Sequence, residues 1–348
     1  DTNNQRNASG GTYIYMAFAA DPTAVEPTLA DSFNTVVYSG TGSNQSITGF
    51  GFKPDFIWVK KRDTAVSHHL FDTVRGNFAL YSNFAISEDN FSTAIDVNSA
   101  TADGFDVIGN SGGLNTSGTN NYVAWCWKTA EIPTINSNGS IKSVVSANPA
   151  SGFSIVKWTG GSATGLNVGH GLGVAPSFII LKPTDRTAEW YIYHKNLASN
   201  QSLRFDTTQA NTNLSFPNVN SLNFNSNWTT STWQFIAYCF AEVAGFSKFG
   251  SYSGTGAVGN YVATGFEPAF VMVKASNTAE PWFMLDNKRD PNNPRDNRLM
   301  ADSSAAESDG SVHTMDFNSL GFTLNGTVAN GTNGSGFTYI YMAFANQF

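Results

Sequence analysis

Only 13% of the 348 residues are charged, and the acidic ones prevail to give a net charge of −7. No basic stripe runs along the chain, which argues against nucleic-acid binding through phosphates. No apolar run reaches the ~18 residues of a membrane-spanning helix, so no membrane insertion is expected. Only two cysteines occur, Cys126 and Cys239. They fall at equivalent places in two repeats, where Ala17 and Ala343 stand in the others, so the position calls for a small buried side chain rather than a disulfide. There is no Walker A loop, dinucleotide fingerprint, zinc-protease helix or Gly-x-Ser-x-Gly elbow. No long amphipathic helical pattern is present. Catalytic residues, metal ligands and cofactors are therefore not assigned.

What the chain has is repetition. The octapeptide Thr-Tyr-Ile-Tyr-Met-Ala-Phe-Ala stands at Thr12–Ala19 and again at Thr338–Ala345, and such self-similarity is settled before any local reading. Three anchors recur in order. The first is a strand with a Gly-rich turn, as in Val36–Gly42, Ile155–Gly161 and Phe249–Gly256. The second is a Gly-x-x-Pro turn feeding an apolar run that ends in lysine: Gly51–Lys60, Gly173–Lys182 and Gly265–Lys274. The third is a closing strand: Tyr122–Trp127, Phe235–Phe240 and Tyr339–Phe344.

The fold class expected is all-β: tandem antiparallel β-sandwich repeats, jelly-roll-like, over 33–130, 151–244 and 246–348. Residues 131–150, rich in Asn, Ser and Pro, read as a linker. Residues 1–22 read as the closing strand of a preceding repeat or as a swapped strand, so the chain looks like the C-terminal part of a longer array. In the closing strands, Val123, Trp125 and Trp127 point one way and Tyr122, Ala124 and Cys126 the other. Both sets are apolar, so this strand is expected to be covered on both faces.

Few residues invite chemistry. Gly169–Gly173 leads into a strand, so it reads as a turn and not as a phosphate loop. His68 and His69 lack further ligands at suitable spacing and read as an exposed loop pair. Asp72 with Arg75, and Asp286 with Arg289, recur between two repeats and read as ion pairs; a glycan-degrading enzyme is the alternative that would use these carboxylates. Trp158, Trp190, Tyr191, Tyr193, Trp228, Trp233, Tyr252 and Trp282 are mostly core, with Trp190, Tyr191 and Trp228 as the candidates for stacking on a sugar.

The strings Phe71–Gly76, Tyr122–Lys128, Gly169–Pro176, Tyr238–Val243 and Thr338–Ala345 resemble a repeated domain of unknown function found in structural and tail-fibre-like proteins of marine bacteriophages, cyanophages included. The resemblance spans almost the whole chain. It implies a virion or extracellular appendage protein, a tail or head fibre that self-associates as a homo-oligomer (a trimer or a filament), contacts other virion proteins and takes a host-surface glycan. A subunit of an extracellular filament is the alternative. The acidic balance favours a neutral glycan over an anionic polymer.

Overall fold

Apolar runs of six to eight residues, bounded by Gly and Pro turns, can be satisfied by strands buried on both faces. The structure, a computed structural model, describes residues 32–111, 113–118, 120–129, 132–163, 165–213, 216, 218–225, 232–310, 313–326 and 331–345. Among these residues the regular elements are all strands, so the all-β expectation holds. The expected strand at Thr12–Ala19 lies outside the described residues.

Three strand sets follow one another. Each has an opening strand (Phe33–Ser39, Phe153–Thr159, Ser247–Ser253) and a closing strand (Asn121–Trp127, Gln234–Phe240, Thr338–Ala345). Between them come an inner strand (Phe56–Lys61, Phe178–Pro183, Pro268–Ala275) and an outer strand (His69–Asp72, Tyr191–His194, Phe283–Asp286). An edge strand follows (Gly76–Leu80, Leu203–Arg204, Leu299–Met300). In each set the sheet order is opening, closing, inner, outer, edge, and every pairing is antiparallel. A smaller sheet covers one face. Gln45–Thr48, Gly104–Val107 and Ile95–Asp96 form it in the first set, and Asn260–Ala263, Gly321–Leu324 and Met315–Asn318 in the third. In the second it shrinks to Asn167–Gly169 and Asn223–Asn225.

The first strand pairs with the last and the second with the penultimate. Inner, outer and edge strands depart from that plan by continuing as a meander within one sheet. The Gly-rich turns have a steric cause. A Cβ at Gly40 would lie 2.3 Å from the Thr116 carbonyl oxygen, and one at Gly254 would lie 2.0 Å from that of Gly334.

One expectation is corrected. Within the stretch expected to be a linker, Thr134–Asn136 and Ser143–Asn148 are strands that extend the second sheet outward from its opening strand. Asn and Ser there serve tight turns between short strands, a composition that a linker shares.

Alternation divides the side chains between two kinds of core. Tyr122, Ala124 and Cys126 face a core private to the first set, closed by Ile47, Ile95, Phe105 and Val107 of its small sheet. Cys239 and Ala343 occupy the same place in the second and third private cores. Both cysteines are free and buried, and burial raises both thiols above their ordinary pKa.

The opposite faces of all three large sheets meet in one shared core. Trp127, Phe240 and Phe344 hold equivalent places on the three closing strands. Their ring centroids lie 6.0, 5.6 and 6.0 Å apart pairwise. That near-equilateral triangle marks an approximate threefold axis. Around it, the inner-strand phenylalanine of each set meets the opening-strand phenylalanine of the next: Phe56 with Phe153 at 6.0 Å, Phe178 with Phe249 at 6.1 Å and Phe270 with Phe33 at 5.9 Å. The three sets form a closed ring around one hydrophobic centre.

Candidate functional site at the junctions of the ring

Each junction repeats the same links. The amide of Glu88 donates to the Thr184 carbonyl at 2.8 Å, that of Asn211 to Ser276 at 2.9 Å and that of Glu307 to Arg62 at 2.7 Å. These join the first set to the second, the second to the third and the third to the first. Trp190 Nε1 donates back to the Tyr81 carbonyl at 2.9 Å, and Trp282 Nε1 to that of Arg204 at 2.8 Å. His68 holds the matching place in the first set, with Nε2 at 3.1 Å from the Met300 carbonyl.

His68 and His69 are thus buried rather than exposed, which corrects the sequence expectation. His68 Nδ1 accepts from Trp58 Nε1 at 2.9 Å, so its Nε2 must carry the proton that reaches Met300. Burial, with Lys60 nearby, lowers its pKa and keeps the ring neutral. His170, in the Gly-rich turn, and His194 follow the same scheme. Each Nδ1 accepts a backbone amide while Nε2 faces a carbonyl.

The penultimate residue of each inner strand is a lysine, Lys60, Lys182 or Lys274, and lies fully buried. Lys182 Nζ donates to carbonyls of Pro183 at 2.8 Å and of Ala85 in the first set at 3.2 Å. Lys274 Nζ donates to Ala275 at 2.8 Å and to Thr208 of the second set at 3.2 Å. Lys60 reaches carbonyls within its own set and lies in the field of Asp63 and Glu307. Burial pulls all three ammonium groups down to about 8. The recurrence of lysine after an apolar run was visible in the sequence; its use as a bond between neighbouring sets was not.

The recurring carboxylates are locks. Asp72 accepts from Arg75 Nε at 2.6 Å and from the Tyr238 hydroxyl of the second set at 2.8 Å. Asp286 accepts from Arg289 Nε at 2.6 Å and from Trp125 Nε1 of the first set at 3.0 Å. All four charged side chains are buried, so the ion-pair reading holds. Burial opposes the charge on Arg75, but Asp72, Tyr238 and Glu88 more than offset it and raise its pKa.

The surface carries a different chemistry where the first and second sets meet. The added strands leave Ile132 76% and Ile135 71% exposed, with Val144 opposite Ile135 at 39%. A cavity of about 360 Å³ lies against Val74, Ile135, Val144, Lys142 and Lys157. A second, of about 580 Å³, lies against Thr73, Ile132, Pro133, Lys53 and Lys128. Thr73 and Val74 are chain neighbours, so the two hollows flank one strip. Among the described residues that line them the only carboxylate is Asp55, which is occupied by the Thr73 hydroxyl at 2.9 Å and the Thr129 amide at 2.8 Å.

The sugar-stacking candidates fare differently. Trp190 is fully buried at a junction and offers no face to a ligand, which corrects that reading. Tyr191 is half-buried, with the Arg204 guanidinium 4.1 Å from its ring centroid, so that face is taken. Trp228 lies outside the described residues. Trp158 and Trp282 are buried. No local signal separated a junction tryptophan from a surface one, because both follow polar turns. Among the described residues no group of three His, Cys, Asp or Glu side chains could hold a metal ion.

The chain belongs to the family described as Domain of unknown function (DUF7483), whose profile matches residues 28–347. That span takes in all three strand sets, as the shared core requires of a single folding unit. No curated protein and no solved structure matches the chain.

Proposed function

We propose that the chain is a structural module of a phage particle, with each strand set a jelly-roll-like sandwich and the ring forming part of a tail or head fibre. The observation that carries this reading is the ring itself. Its tryptophans, buried lysines and recurrent Asp–Arg pairs are spent on holding three sets together. Asp72 and Asp286, on which a glycan-degrading alternative rests, are buried against guanidinium groups, and that favours a scaffold over glycoside hydrolysis, which needs two carboxyl groups open to the sugar. Copies of the chain associate in the particle, and adhesion to a host-surface glycan would gain strength from their number. Labelling of particles with an antibody against the chain, imaged by electron microscopy, tests this. Label confined to an appendage supports it; particles without label refute it. Turnover of a host polysaccharide that vanishes in Asp72→Asn would establish the enzyme instead.

A further inference from the structure

The strip between the two hollows is unlike the rest of the molecule. On one face of the second sheet, Ile135, Val144, Lys157 and Ile236 are successive cross-strand neighbours, followed by Lys182. Ile236 and Lys182 are buried at the junction with the first set, whereas Ile135 and Val144 are open to solvent. An interface thus continues past the point where its intramolecular partner ends. Thr134–Asn136 pairs with Ser143–Asn148 on one side and with no described strand on the other. Natural edge strands are usually blunted by shortness, charge, proline or a bulge; this one is short and follows Pro133, but Thr134, Ile135 and Asn136 themselves carry no charge, proline or bulge.

The charge around the strip opposes that of the chain as a whole. Lys53, Lys128, Lys142 and Lys157 line the hollows, and none is in an ion pair with a described residue. The apolar residues among the described lining are aliphatic except Trp158, which is 3% exposed. A sugar would find no ring to stack on, and a nucleic acid would find none for its bases. A polypeptide strand would find a backbone edge and, on one face of it, apolar contacts with cations beside them.

We propose that this junction is a docking site for an extended acidic and aliphatic segment of a partner protein, added as a strand along Thr134–Asn136. Its aliphatic side chains lie on Ile135 and Val144, and its carboxylates, on that same face, meet Lys142 and Lys157. This stands whether or not the chain belongs to a phage particle.

The test uses the full chain and a fluorescein-labelled synthetic octapeptide Val-Ser-Glu-Ser-Val-Ser-Glu-Ser, which as a strand sets valine and glutamate on one face, read by fluorescence anisotropy. Saturable binding is expected, weakening tenfold or more in Ile135→Asp and in Lys142→Glu/Lys157→Glu, and unchanged in Val258→Asp on the third set. Matching thermal melts confirm that the variants are folded. The same octapeptide with serine in place of both valines should bind at least tenfold more weakly. Equal binding of that peptide, or no effect of Ile135→Asp, overturns the proposal. Dextran sulfate that binds in an Ile135-independent way, with no binding of the valine peptide, replaces it with a site for anionic polymers. Self-association of the chain abolished by Ile135→Asp would make a second copy the occupant and likewise overturn it.

Discussion

The junction of the first and second sets and that of the second and third are built on the same plan but filled differently. The first has Glu88, Arg75, Asp72 and Tyr238 in contact. The junction of the third and first sets repeats this with Glu307, Arg289, Asp286 and Trp125. In the remaining junction Asn211 replaces the glutamate, His194 the aspartate and Met342 the Tyr or Trp. Methionine has no donor for a carboxylate, and a buried aspartate facing it would be unpaired. Neutral His194 instead faces the Tyr341 carbonyl at 3.3 Å. Partners on two strands, far apart in sequence, have changed together. A buried polar group survives only when its counterpart across the junction suits it.

The largest expected difference between the junctions comes from stranding a charge. Asp72→Ala and Asp286→Ala each leave a buried guanidinium without its partner and should cost about 3–5 kcal/mol. His194→Ala removes one hydrogen bond and some volume and should cost about 1–3 kcal/mol. Urea unfolding of the full chain measures all three, and equal losses would erase the distinction between charged and neutral junctions. Next in size, Tyr238→Phe deprives Asp72 of a donor and should cost about 1–2 kcal/mol. Met342→Leu, at the equivalent place, should cost less than about 1.5 kcal/mol because volume is conserved. In a double-mutant cycle, Asp72→Ala and Tyr238→Phe should be coupled by about 0.5–3 kcal/mol; additivity would mean that the hydroxyl and the carboxylate do not interact.

The neutral histidines predict a pH dependence. Burial lowers His69 to about 4 and His194 to about 3. An unfolded chain binds those protons near the ordinary value of 6.5, so it takes up more protons than the fold below that pH. Their contribution is full above ~6.5 and is lost as pH falls toward 4. Asp55, Asp206 and Asp302, raised by burial, act the other way at the acid end. His194→Gln should therefore flatten the slope between pH 6.5 and 4 relative to the unaltered chain. At the alkaline end, lysines lowered to about 8 release protons before their unfolded counterparts do, and stability should rise as pH passes 8. Deprotonation of the two cysteines and of buried tyrosines in the unfolded chain reverses that gain above roughly 9. A stability curve across pH 4–10 that shows no rise past 8, or one unchanged by Lys182→Met, would count against the carbonyl-held lysines. The smallest effect is expected at the exposed strip, where Lys142→Glu should alter stability by no more than about 0.5 kcal/mol.

Much of the architecture was legible because three copies of each anchor made the alternation unmistakable. Val123, Trp125 and Trp127 were separated correctly from Tyr122, Ala124 and Cys126, and burial of both faces followed from their chemistry. What covers the second face was not legible. Nothing in a repeat states whether its neighbours stand apart along a string or turn their sheets inward on one axis. The fate of Trp190 and of His68 depends on that choice, so a tryptophan that looked like a ligand platform became a cross-junction donor. Thr134–Asn136 was missed because three residues are too few for a period to appear. The cationic strip was hidden by its dispersal over four lysines more than a hundred positions apart end to end, in a chain whose overall balance is acidic.

The triangle of Trp127, Phe240 and Phe344 has a consequence for dilution. Three separate polypeptides meeting at such an axis would part as their concentration fell, because assembly would depend on its cube. Here the three corners are carried by a single chain, so closing the ring is a first-order event. The midpoint of unfolding of the single chain should not move when the sample is diluted a thousandfold, and the ring stays closed however sparse the chain becomes.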